Sequence, residues 1–175
     1  MMIKRIAVSL ISLVMLTSMA SCSLGKTDES SAVSDKEINI TAKEIIEKAV
    51  EKSGDENLDS TAFYGEDLYK ENCEKLYSIS YDNVLDGGIV YAGSGGLADE
   101  ISVIRAKDMS EDMVEQYLQK RVDRRIQDFT GYKPAEIGKI DKSVVFSANG
   151  FSVLIISDNA DKIQEMITDI ITNNK

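Results

Sequence analysis

The chain has 175 residues, 43% of them hydrophobic, and a formal charge of −10 from 20 basic and 30 acidic residues. That length and apolar content suffice for one packed domain and exclude a largely disordered chain, while the acidic balance repels phosphate backbones and argues against nucleic acid as a partner. There is no histidine, which removes the usual triads, Cys-His dyads and His-ligated zinc.

Lys4 and Arg5 precede an apolar run from Ile6 to Leu16, and small residues lead from there to Cys22. A basic start, a short apolar centre and a small-residue zone make a secretory signal. The run is shorter than the roughly 20 apolar residues a bilayer span needs. Met19-Ala20-Ser21-Cys22 resembles a bacterial lipobox, with methionine where leucine is more usual. The resemblance implies that Cys22 receives a diacylglyceryl thioether and becomes the first residue of the mature protein. Residues 1–21 are thus expected to be a lipoprotein signal peptide, 22–36 the lipidated cysteine and a flexible tether, and 37–175 a single domain. Without Lys4 and Arg5 the mature part keeps 18 basic residues against the 30 acids. Anionic headgroups repel such a surface, so the acyl chains, palmitate among them, must supply the attachment. The expected location is the extracytoplasmic side of the cell membrane. Cys73 is the second of the two cysteines and has no disulfide partner left in the chain.

Thr41-Ala42-Lys43-Glu44 is a capping box, and Ile45, Ile46, Ala49 and Val50 form the apolar stripe of a helix that Gly54 ends. Asp55, Asn57, Asp59 and Glu66 then fall at positions 1, 3, 5 and 12 of a calcium-loop pattern. The sixth position is Ser60 where the sharp turn wants glycine, and the eighth is Ala62 where a larger apolar residue pairs two hands. With no second hand, a plain acidic loop is expected and no metal site is assigned. A second helix runs from Glu66 to Tyr77, with Cys73 on its apolar side as a buried, inert thiol.

Residues 88–94 and 98–107 are rich in β-branched and apolar residues around Gly95-Gly96-Leu97, the pattern of a hairpin. Gly93-Ser94-Gly95-Gly96 lacks the spacing of a phosphate loop, and Ser94 lacks the context of a nucleophile elbow. Ser110 caps a long helix ending near Phe129, Gly131 stops it, and Pro134 opens a short turn through Ile140. A second hairpin, 141–148 and 151–157, turns at Asn149-Gly150. Asp158 begins a last helix striped by Ile163, Met166, Ile167, Ile170 and Ile171. The halves echo at an offset of 50: Ser102-Val103 and Ser152-Val153, Asp108 and Asp158. The expected fold is α+β: a two-layer sandwich with a four-stranded antiparallel sheet from two β-hairpins, helices on one face, and N-terminal helices in addition.

One oddity marks a candidate polar cluster. In the long helix Val114, Leu118, Val122 and Phe129 define an apolar arc, and Arg121 and Arg125 fall inside it. Their charges can snorkel at the sheet edge, pair with Asp99 or Glu100 on the preceding hairpin, or line an anion pocket.

Ala98-Asp99-Glu100-Ile101, Tyr132-x-Pro134 and Asn149-Gly150 resemble the domain of unknown function 4358 family, uncharacterised lipoproteins of Gram-positive bacteria, over about residues 40–160 by element order. The resemblance implies the location and fold above and no activity or catalytic residue. The expected function is a non-catalytic binding or interaction module of the cell envelope, with no cofactor. It is held to the membrane by the lipid on Cys22 and engages an envelope protein or ligand. A calcium-modulated module and a carboxylate-based envelope enzyme are the alternatives.

Overall fold

The capping box at Thr41 closes in both directions. Glu44 donates its N–H to Thr41 Oγ1 at 3.2 Å, while the Thr41 N–H reaches Glu44 Oε2 at 2.8 Å. Helix α1 (Ala42–Ser53) follows and ends on Gly54 at φ 63°, a left-handed position that glycine adopts without strain. The structure, a computed structural model, describes residues 39–173. The signal peptide, Cys22 and the tether expected from the sequence lie outside them.

The chain continues as β1 (Ser60–Phe63), α2 (Asp67–Tyr77), a 3-10 turn at Tyr81–Asn83, β2 (Val84–Tyr91) and β3 (Glu100–Ala106). Then come α3 (Glu111–Thr130), a 3-10 turn at Pro134–Glu136, α4 (Ile137–Ile140), β4 (Val144–Ala148), β5 (Phe151–Ile156) and α5 (Ala160–Asn173). Ser110 Oγ accepts the Met113 N–H at 3.3 Å, so the long helix starts where its cap residue places it. Asn149 and Gly150 take φ 49° and 82°, the two positive values of a type I′ hairpin turn.

The sheet has five strands in the order β1-β2-β3-β5-β4, all neighbours antiparallel. The two hairpins are present, and β1 is a fifth strand in what reads as an acidic loop. Only four residues long, β1 pairs Ala62 with Ile89 and buries that one alanine. A strand that short and polar leaves no period-2 signal in the sequence. β2 also starts earlier than its apolar run, at Val84. Gly87 lies before the expected strand and Gly88 at its start, and both glycines serve close packing. A Cβ on Gly87 would lie 1.8 Å from Tyr69 Oη, and one on Gly88 would lie 2.8 Å from Phe63 Cδ1.

Helices cover both faces of the sheet, which corrects the two-layer expectation. Ile45 and Ile46 of α1 and Ile163, Ile167 and Ile171 of α5 pack with Val103, Val153 and Ile155 on one face. Tyr69, Cys73 and Tyr77 of α2 and Val114, Leu118 and Val122 of α3 pack with Ile89, Ile104 and Leu154 on the other. The reason is visible in the central strands: every residue of β5, and every residue of β3 from Glu100 to Ile104, is buried. Strands buried on both sides need a cover on both sides. The echo at an offset of 50 therefore does not repeat the architecture. Val103 and Val153 sit directly opposite each other, but α3 and α5, which follow their strands, lie on opposite faces. The described residues belong to one compact unit.

Candidate functional site

Strand alternation turns Glu100, Ser102 and Ile104 to the α2/α3 face. Two of the three are polar, and both are fully buried, at 0% exposure. The helix arc that carries Val114 and Leu118 brings Arg121 over them. Arg121 grips the Glu100 carboxylate with a fork: Nε lies 3.2 Å from both oxygens and Nη2 lies 2.6 Å from Oε2. Tyr77, in the last turn of α2, donates its hydroxyl to Glu100 Oε1 at 2.9 Å and makes a further short contact with Ser102 Oγ. The cluster thus ties β3 to both helices of this layer.

Electrostatics follow from burial. Loss of solvent drives the Tyr77 hydroxyl well above its ordinary value and the Glu100 carboxylate pushes it further, so Tyr77 stays protonated and donates. Burial works against the Arg121 charge, but Glu100 more than offsets it and the guanidinium is raised overall. Arg125, one turn on, is different. Burial lowers it despite Glu100, and its Nε has no hydrogen-bond partner. Nε lies 3.9 Å from Glu100 Oε2, Nη2 donates to the Leu97 carbonyl at 3.2 Å, and the guanidinium rests 4.6 Å from the Phe129 ring centre.

Asp99 does not join this fork. Its Oδ2 meets Lys139 Nζ of α4 at 2.7 Å. Lys139 also reaches Glu136 Oε2 at 3.1 Å and Asp158 Oδ2 at 3.8 Å. Burial opposes the Lys139 charge, and the Asp99 and Glu136 carboxylates outweigh it and raise its pKa. Glu136 in turn accepts the Ala98 N–H at 3.0 Å. So Asp99, Glu100, Arg121 and Arg125 come together at one end of β3 as two adjacent networks. Sequence reasoning missed Tyr77, Ser102, Glu136 and Lys139. Ser102 inside Ile101–Ile104 was a legible signal of a buried polar site; Lys139 in a four-residue helix was not.

Chemically the cluster is closed. Arg121 and Tyr77 occupy the Glu100 oxygens, and the group is out of water, so no substrate reaches it without opening α3. The anion-pocket alternative for Arg121 is thereby filled from within the chain.

The acidic loop is built differently. Asp55 Oδ1 accepts the Asn57 N–H at 3.1 Å, Asp59 Oδ1 accepts the Gly93 N–H at 2.8 Å, and Glu66 Oε2 accepts the Phe63 N–H at 2.9 Å. β1 runs between Asp59 and Glu66, and the carboxylates turn to separate backbone donors rather than to a shared point. Among the described residues no three acidic or thiol side chains gather to hold a metal ion. Cys73 is buried, and burial pushes its thiol up to about 11. A surface groove of about 440 Å³ lies between the start of β4 and the start of α5, lined by Lys142, Val144, Asp158, Asp161 and Lys162.

No curated protein and no solved structure matches the chain. The family model described as "Domain of unknown function (DUF4358)" matches residues 58–157, from the approach to β1 to the end of β5. The chain belongs to that family.

Proposed function

We propose that the chain is a lipid-anchored module on the extracytoplasmic face of the cell membrane, with a binding rather than a catalytic role. The observation that carries this is the ordered series Lys4-Arg5, the apolar run to Leu16, and Met19-Ala20-Ser21-Cys22. A basic start, a short apolar centre and a cysteine after small residues are what an acyl-transfer and cleavage machinery recognises. The folded part supports a binding role in a second way: its buried charges are spent on one another, at Glu100–Arg121 and Asp99–Lys139, and hold elements together. Neither calcium binding nor carboxylate catalysis has an observation of its own in favour.

Replacing Cys22 by serine removes the acyl acceptor while leaving the apolar signal in place. The expected result in cells fed an alkyne-tagged fatty acid is a labelled wild-type chain and an unlabelled, uncleaved Cys22→Ser chain. Equal label on both, or normal cleavage of the variant, rules out the anchor.

A further inference from the structure

At the end of β3 two arginines share one acid. Glu100 is approached by both Arg121 and Arg125, and Arg121 takes both of its oxygens. Arg125 keeps a guanidinium on a side chain only 15% exposed, with its nearest carboxylate 3.9 Å away; Asp128 acts on it from farther off. Its Nη2 is committed to the Leu97 carbonyl, and its Nε is sealed from solvent without a partner. Nη1 is not sealed and has no hydrogen bond among the described residues. A half-buried cation with one free edge carries a desolvation cost that an anion from outside would offset. The Phe129 ring at 4.6 Å and the Leu97 carbonyl hold that edge in place, so little side-chain freedom is lost on binding.

A second cation reaches the same loop. Lys133 follows the end of α3, where its N–H bonds the Phe129 carbonyl at 2.9 Å. Its ammonium lies 3.0 Å from the point where a Cβ on Gly96 would stand. Gly96 precedes Leu97, so Lys133 and Arg125 touch successive residues of the loop between β2 and β3. The acid that Lys133 acts on, Glu136, is already held by Lys139 and the Ala98 N–H. Among the described residues the Lys133 ammonium has no hydrogen bond or ion pair of its own. We propose that Arg125 and Lys133, on the Gly96-Leu97 loop, bind the phosphate group of a ligand. The Nε–Nη2 side of the Arg125 fork, which matches a planar carboxylate, is closed. Nη1 and Nζ are separate donors, which suit a tetrahedral oxyanion with acceptors on several sides. The chain's overall charge of −10 repels anions in general, so a phosphate response isolates these two groups. The site rests on the binding role proposed above and not on the lipid, so its failure leaves cleavage and labelling at Cys22 unchanged.

The test is thermal unfolding of the full chain in sodium phosphate against sodium chloride of equal ionic strength. Inorganic phosphate at about 20 mM is expected to raise the Tm by about 3 °C. Arg125→Met should lose the rise, and Lys133→Met should lose most of it. Arg124→Met removes the same charge one position away, where the side chain turns to the Lys75 carbonyl, and should keep it. Should Arg125→Met not fold, amide resonances of the unsubstituted chain decide: phosphate is expected to shift Gly95, Gly96 and Leu97, and Lys133→Met to suppress those shifts. A second arm reads the source of the phosphate. A rise with inorganic phosphate marks a soluble ligand. A rise that appears only when phosphatidylglycerol is added to phosphatidylcholine vesicles, and that Arg125→Met loses, marks a lipid headgroup. No rise over chloride in either arm, a rise kept by Arg125→Met, one lost equally in Arg124→Met, or unshifted loop amides overturns the proposal.

Discussion

Removing Arg121 leaves Glu100 as a carboxylate at 0% exposure, with only Tyr77 and Ser102 nearby to serve it. Breaking a buried pair from one side costs about 3–5 kcal/mol, and Arg121→Met falls in that range. Glu100→Gln leaves the Arg121 guanidinium facing a neutral amide and is expected to cost about 2–3 kcal/mol. The double variant loses the charge and its partner together, while Tyr77 and Ser102 keep their mutual bond. Its cost is expected to fall below the sum by about 2–3 kcal/mol. Arg125→Met is the internal control: with Nε unbonded, one hydrogen bond to a carbonyl, Glu100 Oε2 no nearer than 3.9 Å and the Phe129 ring beside it, it should cost less than Arg121→Met, about 1 kcal/mol. Urea unfolding followed by circular dichroism gives all four values. Single-variant costs that add to the double within about 0.5 kcal/mol would refute the forked pair as the element that ties α3 to β3.

Two further outcomes follow from close packing. Gly87→Ala places a methyl against the Tyr69 ring, 2.6 Å from Cζ, and should cost about 1–3 kcal/mol in the same assay. Cys73 should resist iodoacetamide at pH 8 in the folded protein and react once urea unfolds it. Because the folded thiol holds its proton to about 11 against an ordinary 9, the unfolded chain releases that proton first. The stability contribution from this residue is therefore complete below pH 9 and is lost as the pH rises from there towards 11. Labelling of the folded chain at pH 8 as fast as in urea would contradict the buried placement.

Local signals carried most of the element order. The capping box at Thr41, the serine cap at Ser110 and the Asn149-Gly150 turn each act within a few residues, so the helices and the second hairpin were legible where they begin. β1 was not, because its pairing partner lies 25 or more residues away and its own four residues bury a single alanine. The second helix layer was missed for a related reason. A strand of nearly unbroken apolar residues announces burial on both faces, and Phe151–Ile156 has that character, but the expectation of helices on one face took no account of it. Arg121 and Arg125 were legible as misplaced charges on an apolar arc, and Glu100 as one candidate partner. Which arginine takes Glu100, and that Asp99 turns to Lys139 instead, depends on how α3 and α4 settle over β3, and sequence spacing does not encode that.

We propose that lipid on Cys22 holds the folded domain at the membrane. Mass spectrometry of the N-terminal peptide of the chain isolated from its own cells tests it most directly. The expected peptide begins at Cys22 and carries a diacylglyceryl thioether on its sulfur. A peptide in which Cys22 is still joined to Ser21, with a free thiol, would contradict it.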